Sequence, residues 1–160
     1  MNKLKICLML LLVCLVSGCA HVDVSHLKSQ PWKLETRRTL DMEFMSFDYE
    51  VIPRKEGYGV RGMAYIKKNS VPVWAGWVDD LLIQGYISDD DGVAFTQGEQ
   101  VFSPRKLEDD KGIPFDFELN PESSFVDTMS ISFGYRLTLS KAKGDMSRPP
   151  FMAIERAVSQ

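Results

Sequence analysis

Thr128-Met129-Ser130-Ile131-Ser132-Phe133-Gly134-Tyr135-Arg136-Leu137-Thr138-Leu139-Ser140 alternates apolar and polar residues without a break. Met129, Ile131, Phe133, Tyr135, Leu137 and Leu139 share one face of an extended chain. Ser130, Ser132, Gly134, Arg136 and Thr138 share the other. Period two over this length marks a β-strand with one face on a core and one in water, as in an antiparallel sheet. The stretch decides the fold class because the runs around it repeat its period at short spacing.

Leu40, Met42 and Phe44 alternate first. The phase then slips and Phe47, Tyr49 and Val51 continue it, which predicts a bulge or break near Met45-Ser46. Pro53 to Gly57 reads as a turn, Tyr58 to Ile66 as the next strand, and Lys67 to Pro72 as a loop. Val73 to Ser88 is rich in Trp, Val, Leu and Ile, with Asp79-Asp80 interrupting it or marking an edge. Ser88-Asp89-Asp90-Asp91-Gly92 is a turn signal, since Asp closes Asx-turns and Gly supplies positive φ. Val93 to Phe102 is extended, Ser103 to Gly112 is charged and loop-like, and Phe115, Phe117 and Leu119 alternate again. Pro121 to Asp127 then leads into the strand quoted above. With no long helix between them, these runs predict an all-β chain, an Ig-like antiparallel β-sandwich of about seven strands over residues 39–141. Residues 142–160 read as a tail. Within it Lys141 to Pro150 looks disordered, and Phe151, Ile154 and Val158 fall on one side of a short helix that must dock to be stable.

At the other end, Lys3 and Lys5 precede an apolar run, Ile6 to Val16, too short to span a bilayer core. The run closes on Val16-Ser17-Gly18-Cys19, which resembles the lipobox of bacterial lipoproteins. The resemblance implies that residues 1–18 are a signal peptide, that the Cys19 thiol takes a diacylglyceryl group, and that a peptidase cuts before it. The membrane is then a partner through the lipid on Cys19, since two or more acyl chains anchor a protein stably. Ala20 follows where an aspartate would divert sorting, so the resemblance favours the outer membrane facing the periplasm. Residues 19–38 read as the lipidated N-terminus and a tether, about 60 Å long if extended and about 25 Å as a coil. Trp32 is the exception in it, docking on the domain or at the lipid interface.

The 160-residue chain has a formal charge of −3, and losing Lys3 and Lys5 makes it more acidic. That argues against a nucleic-acid partner, which requires a basic footprint. All three cysteines, Cys7, Cys14 and Cys19, lie at or before the cleavage point, so the body has no disulfide, thiolate ligand or cysteine nucleophile. Both histidines, His21 and His26, lie close to the anchor. The body therefore cannot assemble Ser-His-Asp or Cys-His chemistry, and no cofactor and no metal site are expected.

Gly62-x-x-Tyr65-Ile66-x-x-Asn69-Ser70, Tyr86-Ile87-x-Asp89-x-Asp91-Gly92 and Pro114-Phe115-Asp116-Phe117 resemble the Ig-like modules of bacterial envelope proteins, of the FxLYD and LEA-like groups. The FxLYD signature itself is absent. The resemblance implies a fold class and transfers no catalytic residue. Asp89 to Gly92 lacks the spacing of a Ca²⁺ loop and reads as a hairpin turn. Asp109-Asp110-Lys111-Gly112 reads as a second turn. Asp79 and Asp80 amid Trp74, Trp77 and Tyr86 are the ingredients of a glycan site or a two-carboxylate hydrolase. In a regular strand, however, Trp74 and Trp77 point to opposite faces. Arg136 is placed to bind an anion or, more simply, to pair with an acid on a neighbouring strand. The sequence thus reads as a membrane-anchored envelope lipoprotein, not an enzyme, serving as a protein-interaction or structural module with an envelope protein as partner. A small-ligand or glycan binder using Trp74, Trp77, Tyr86 and Arg136 is the alternative. A carboxylate hydrolase is the least supported.

Overall fold

The computed structural model describes residues 21–108, 111–120 and 129–159. The lipobox, the Asp109-Asp110 turn, and the 121–128 connection with Thr128 at its end lie outside the described residues. Within them the chain is all-β. In chain order the strands are β1 (Val22–Asp23), β2 (Ser29–Pro31), β3 (Arg38–Asp41), β4 (Met45–Pro53), β5 (Tyr58–Ile66) and β6 (Trp77–Ser88). There follow β7 (Ala94–Phe102), β8 (Arg105–Lys106), β9 (Ile113–Leu119), β10 (Ser130–Ser140), β11 (Phe151–Glu155) and β12 (Val158–Ser159).

Two antiparallel sheets face each other. The first runs β3-β4-β5-β9 and the second β11-β10-β6-β7, with β2 beside one end of β10 and β8 beside one end of β6. The chain crosses between these sheets after β2, after β5, after β8 and after β9. The resulting β5–β9 and β6–β10 pairs correspond to the B–E and C–F pairs of an Ig-like sandwich. A small third ladder joins β1 to β12.

The alternating face of β10 is the middle of the core. Ile131, Phe133, Tyr135, Leu137 and Leu139 are fully buried. The Phe133 ring stacks on Phe47 of the opposite sheet at 4.7 Å and meets Phe115 and Tyr49 edge-on. The Tyr135 hydroxyl donates to the Glu155 carboxylate and accepts the Phe44 N–H. Gly85 and Gly98 face each other across β6 and β7, and a Cβ at either would come within 3.0 Å of the Phe117 ring. The glycine pair forms the trough that lets β9 close one side of the sandwich.

The phase slip after Phe44 is a hairpin, not a bulge: Met42 N–H bonds Met45 C=O, and β3 ends before it. Asp79-Asp80 neither ends a strand nor marks an edge. They lie inside β6, a central strand, where a one-residue register shift opposite Thr138 and Leu139 absorbs the extra residue. The Asp89 turn forms as the sequence indicates. Asp89 Oδ1 accepts the N–H groups of Asp91 and Val93, and Gly92 sits at φ +82°.

Three expectations need correction. Residues 21–38 are not a solvated tether: Val24, Leu27 and Trp32 are buried, β2 pairs with β10, and Trp32 packs edge-on against Tyr58 at 5.3 Å. The folded body therefore begins by Val22 rather than at residue 39. Residues 151–158 form strands, not a helix. β11 adds to the edge of β10 and satisfies its backbone there, which an eight-residue helix could not do alone. Finally, the polar face of β10 is only partly in water. Gly134 is buried against Tyr86 and the returning Glu155-Arg156 backbone, and Ser132 is buried between Tyr86 and Ser29 of the neighbouring strands. Residues 141–150 form a turn, with Asp145 N–H bonded to Ala142 C=O and Gly144 at φ +70°.

Candidate functional site

The sandwich has two ends. One carries β1, β12 and the Asp89 turn. The other, a β6 length away, carries the loops around Trp74, Ser103 and Met146. Twelve residues of β6 separate the ends by about 36 Å.

The structure does not bring the three candidate aromatics together. Trp74 lies in the turn before β6, half-buried, with the Arg148 guanidinium 5.0 Å from its ring. Trp77 opens β6 and is half-exposed, opposite Lys106. Tyr86 lies toward the far end of the same strand and is buried; its hydroxyl donates to Gln84 and accepts the Ala157 N–H. Burial pushes the Tyr86 phenol up from its ordinary value.

Arg136 does pair with an acid on a neighbouring strand. Its Nε and Nη2 donate to the two Asp80 oxygens at 2.5 and 3.2 Å, a fork across β10 and β6. The hydrogen bond and charge of Asp80 raise the guanidinium further above its ordinary value. Asp80 is thus engaged by Arg136, not coupled to Asp79 as a carboxylate pair. Both partners are a third or more exposed, so the pair contributes little to folding. Asp80→Asn is expected to move stability by no more than about 1 kcal/mol, read from the urea midpoint at unchanged slope. A larger loss would mean that the pair supports the bulge beside it.

Comparison of the chain with family models, curated proteins and solved structures gives no match. The site must be argued from this structure.

Two surface features have the form of a site. At the loop end, a cleft of about 380 Å³ opens between the sheets. Its floor includes buried Val78 and Ile113, with half-buried Ile66 and Leu107. Tyr65, Arg105, Lys106 and Lys111 stand around it, with Glu108 held by Lys111 at 2.6 Å. That ammonium holds the Glu108 carboxyl below the usual range. On the outer face of the first sheet lies a more open groove, where Glu50 bridges Arg61 and Arg37 and Thr39 donates to Asp48. Its charges are already mutually satisfied.

The sequence did not point to the cleft. Its walls come from β5, β6, the Ser103–Glu108 segment and β9, which only the topology joins. The available signal was Arg105-Lys106-Leu107, two cations beside an apolar residue in a segment that otherwise read as loop. Among the described residues, no group of three His, Cys, Asp or Glu side chains could hold a metal. His26 instead faces the Arg156 carbonyl at 2.9 Å.

Proposed function

We propose that the chain is an envelope lipoprotein, anchored through lipid on Cys19, whose sandwich serves as a non-catalytic interaction or structural module. The observation that carries the interaction reading is a row of side chains across the outer face of the second sheet, apolar except at Arg136. Ile154, Arg136, Leu82 and Val101 are direct neighbours in register across β11, β10, β6 and β7. Leu82 is buried, whereas Ile154 and Val101 at the two ends are more than half exposed, as is Met152, next to Ile154 on the same face of β11. The row ends on β11, a five-residue edge strand that pairs on one side only among the described residues. Apolar side chains next to an unpaired backbone edge form a surface that another strand or sheet can cover.

The anchor reading rests on Val16-Ser17-Gly18-Cys19 and gains a geometric consequence. Cys19 stands three residues before Val22, the first residue of β1. Such a segment spans about 11 Å at most. The sandwich then rests against the bilayer instead of standing off on a tether, and its loop end points away.

Metabolic labelling with a fatty-acid analogue tests the anchor. Cys19→Ala is expected to abolish incorporation, and retained labelling would overturn it. The interaction role is tested by a photo-crosslinker at Ile154 in intact cells. A discrete adduct is expected, absent when the probe stands at Lys55 on the β4–β5 turn. Recovery of the protein only as a lone species counts against the role.

The cleft favours a second reading, small-ligand binding. It shifts the weight of that reading from the dispersed aromatics Trp74, Trp77 and Tyr86 to the Tyr65–Lys111 region.

A further inference from the structure

We propose that the cleft at the loop end binds an anionic amphiphile, a carboxylate or phosphate carried on a short apolar chain or ring. The inference deepens the ligand-binding reading and is independent of the lipid anchor, so the labelling result for Cys19→Ala leaves it untouched.

About 380 Å³ lies within the range of small-ligand sites, and such sites combine an apolar body with a few convergent polar groups. Here the apolar body is set by topology. Val78 follows the first residue of β6, Ile113 opens β9, Ile66 closes β5, and Leu107 follows β8. Leu107 is fixed by its N–H bond to the Gly76 carbonyl. The four residues reach the cleft from four separate segments, so the floor is a built surface, not the side of one strand.

Among the described residues, cations predominate in the lining. Arg105, Lys106 and Lys111 stand there against one carboxylate, Glu108, which Lys111 holds. Arg105 and Lys106 make no ion pair among the described residues. The Arg105 guanidinium bonds the Ser103 carbonyl and lies 5.5 Å from the Phe102 ring, which positions it without neutralising it. Tyr65 adds an aromatic side chain to the lining. An apolar floor next to two cations that make no ion pair among the described residues disfavours a cation. It also holds a neutral chain less well than an anionic one, since only the anion makes charge-assisted hydrogen bonds there.

Gly112 contributes to the shape. A Cβ there would lie 2.8 Å from both Met63 Cε and Tyr65 Cε1, so the glycine leaves room for the tyrosine ring beside it.

The test uses methyl-labelled full-length chain and four probes below their micellar concentrations: decanoate, decyl phosphate, decanol and decyltrimethylammonium. Site-resolved methyl shifts keep the readout clear of the apolar segment at residues 6–16. Decanoate, decyl phosphate or both are expected to shift Ile66, Val78, Leu107 and Ile113 to saturation, with decanol at least tenfold weaker. Which anion binds more tightly separates a carboxylate from a phosphate ligand. Combined Arg105→Glu and Lys106→Glu substitution is expected to weaken binding at least tenfold. Should that variant not fold, exposed Lys106→Gln replaces it, with a several-fold loss expected, and wild-type affinity should fall as salt rises. The proposal is overturned if the cleft methyls do not move. It is equally overturned if decanol or the ammonium binds as tightly as the anions, or if removing the cations leaves affinity unchanged.

Discussion

Phe133→Ala is expected to lower the free energy of unfolding by about 3–5 kcal/mol. Phe133 is fully buried at the middle of β10, and its ring touches three aromatic residues of the opposing sheet: Phe47, Phe115 and Tyr49. Truncation removes the transfer free energy of the ring and leaves a void between the sheets. Collapse into that void is resisted because β10 is held in register by β6 on one side and β11 on the other. For a body of this size the loss corresponds to a drop of about 10–20 °C in Tm. Urea unfolding of the two proteins measures it. A loss below about 1 kcal/mol would show that this aromatic cluster is not the centre of the core. Phe133→Leu retains most of the volume and is expected to cost much less.

Alkaline pH is expected to unfold the protein through its buried tyrosines. Burial is the main cause of the upward shift of all three phenols, Tyr49, Tyr86 and Tyr135. Tyr49 is pushed up to about 12, and Tyr135 is raised further by its hydrogen bond to the Glu155 carboxylate. Unfolded tyrosine ionises near pH 10, roughly. Above that value the unfolded chain has released protons that the folded chain still holds, so each residue lowers stability by about 1.4 kcal/mol per pH unit. The contribution is whole below about pH 10 and is lost as pH rises through the folded values. Acting together, Tyr49 and Tyr135 give a slope approaching about 3 kcal/mol per unit, to which Tyr86 adds in the same direction. Urea midpoints between pH 9 and 11.5 should fall accordingly, and Tyr49→Phe should flatten the slope by up to about a half. A midpoint that stays level to pH 11.5 would contradict the burial of these hydroxyls.

Elements long enough to show a period were legible in the sequence, and shorter ones were not. β5 runs from Tyr58 to Ile66 as its alternation indicates, because a nine-residue strand with one buried face carries its own signature. The Asp89–Gly92 turn was legible for a different reason, since Asx hydrogen bonds are local. β1, β2 and β12 hold only two or three residues each, too few for any periodicity, and Val24, Leu27 and Trp32 are buried among them at irregular intervals. Phe151, Ile154 and Val158 match a helical spacing by coincidence. In the strand Phe151 turns inward against Phe44, while Ile154 stays exposed. Arg136 shows the limit for sites. That it would find an acid across the sheet follows from its place on β10. That the acid is Asp80 follows from the β6–β10 register, which sets Asp80 opposite Thr138 and diagonal to Arg136, and no single sequence displays that register. The cleft lies beyond that limit, because its walls meet only once the sheets have been stacked.

The pairing of the first and last strands also determines how the body responds to force. Tension applied ahead of Val22 first loads two register pairs, Val22–Ser159 and Asp23–Val158, together with the bridge from Asp23 to Val93. Behind them stand the buried side chains of Val24 and Leu27, and then β2 on β10. The load path is therefore graded, with a compliant outer joint in series with a stiff double sheet. A sideways pull is expected to part that joint first, before β2 leaves β10 and before the core around Phe133 is disturbed.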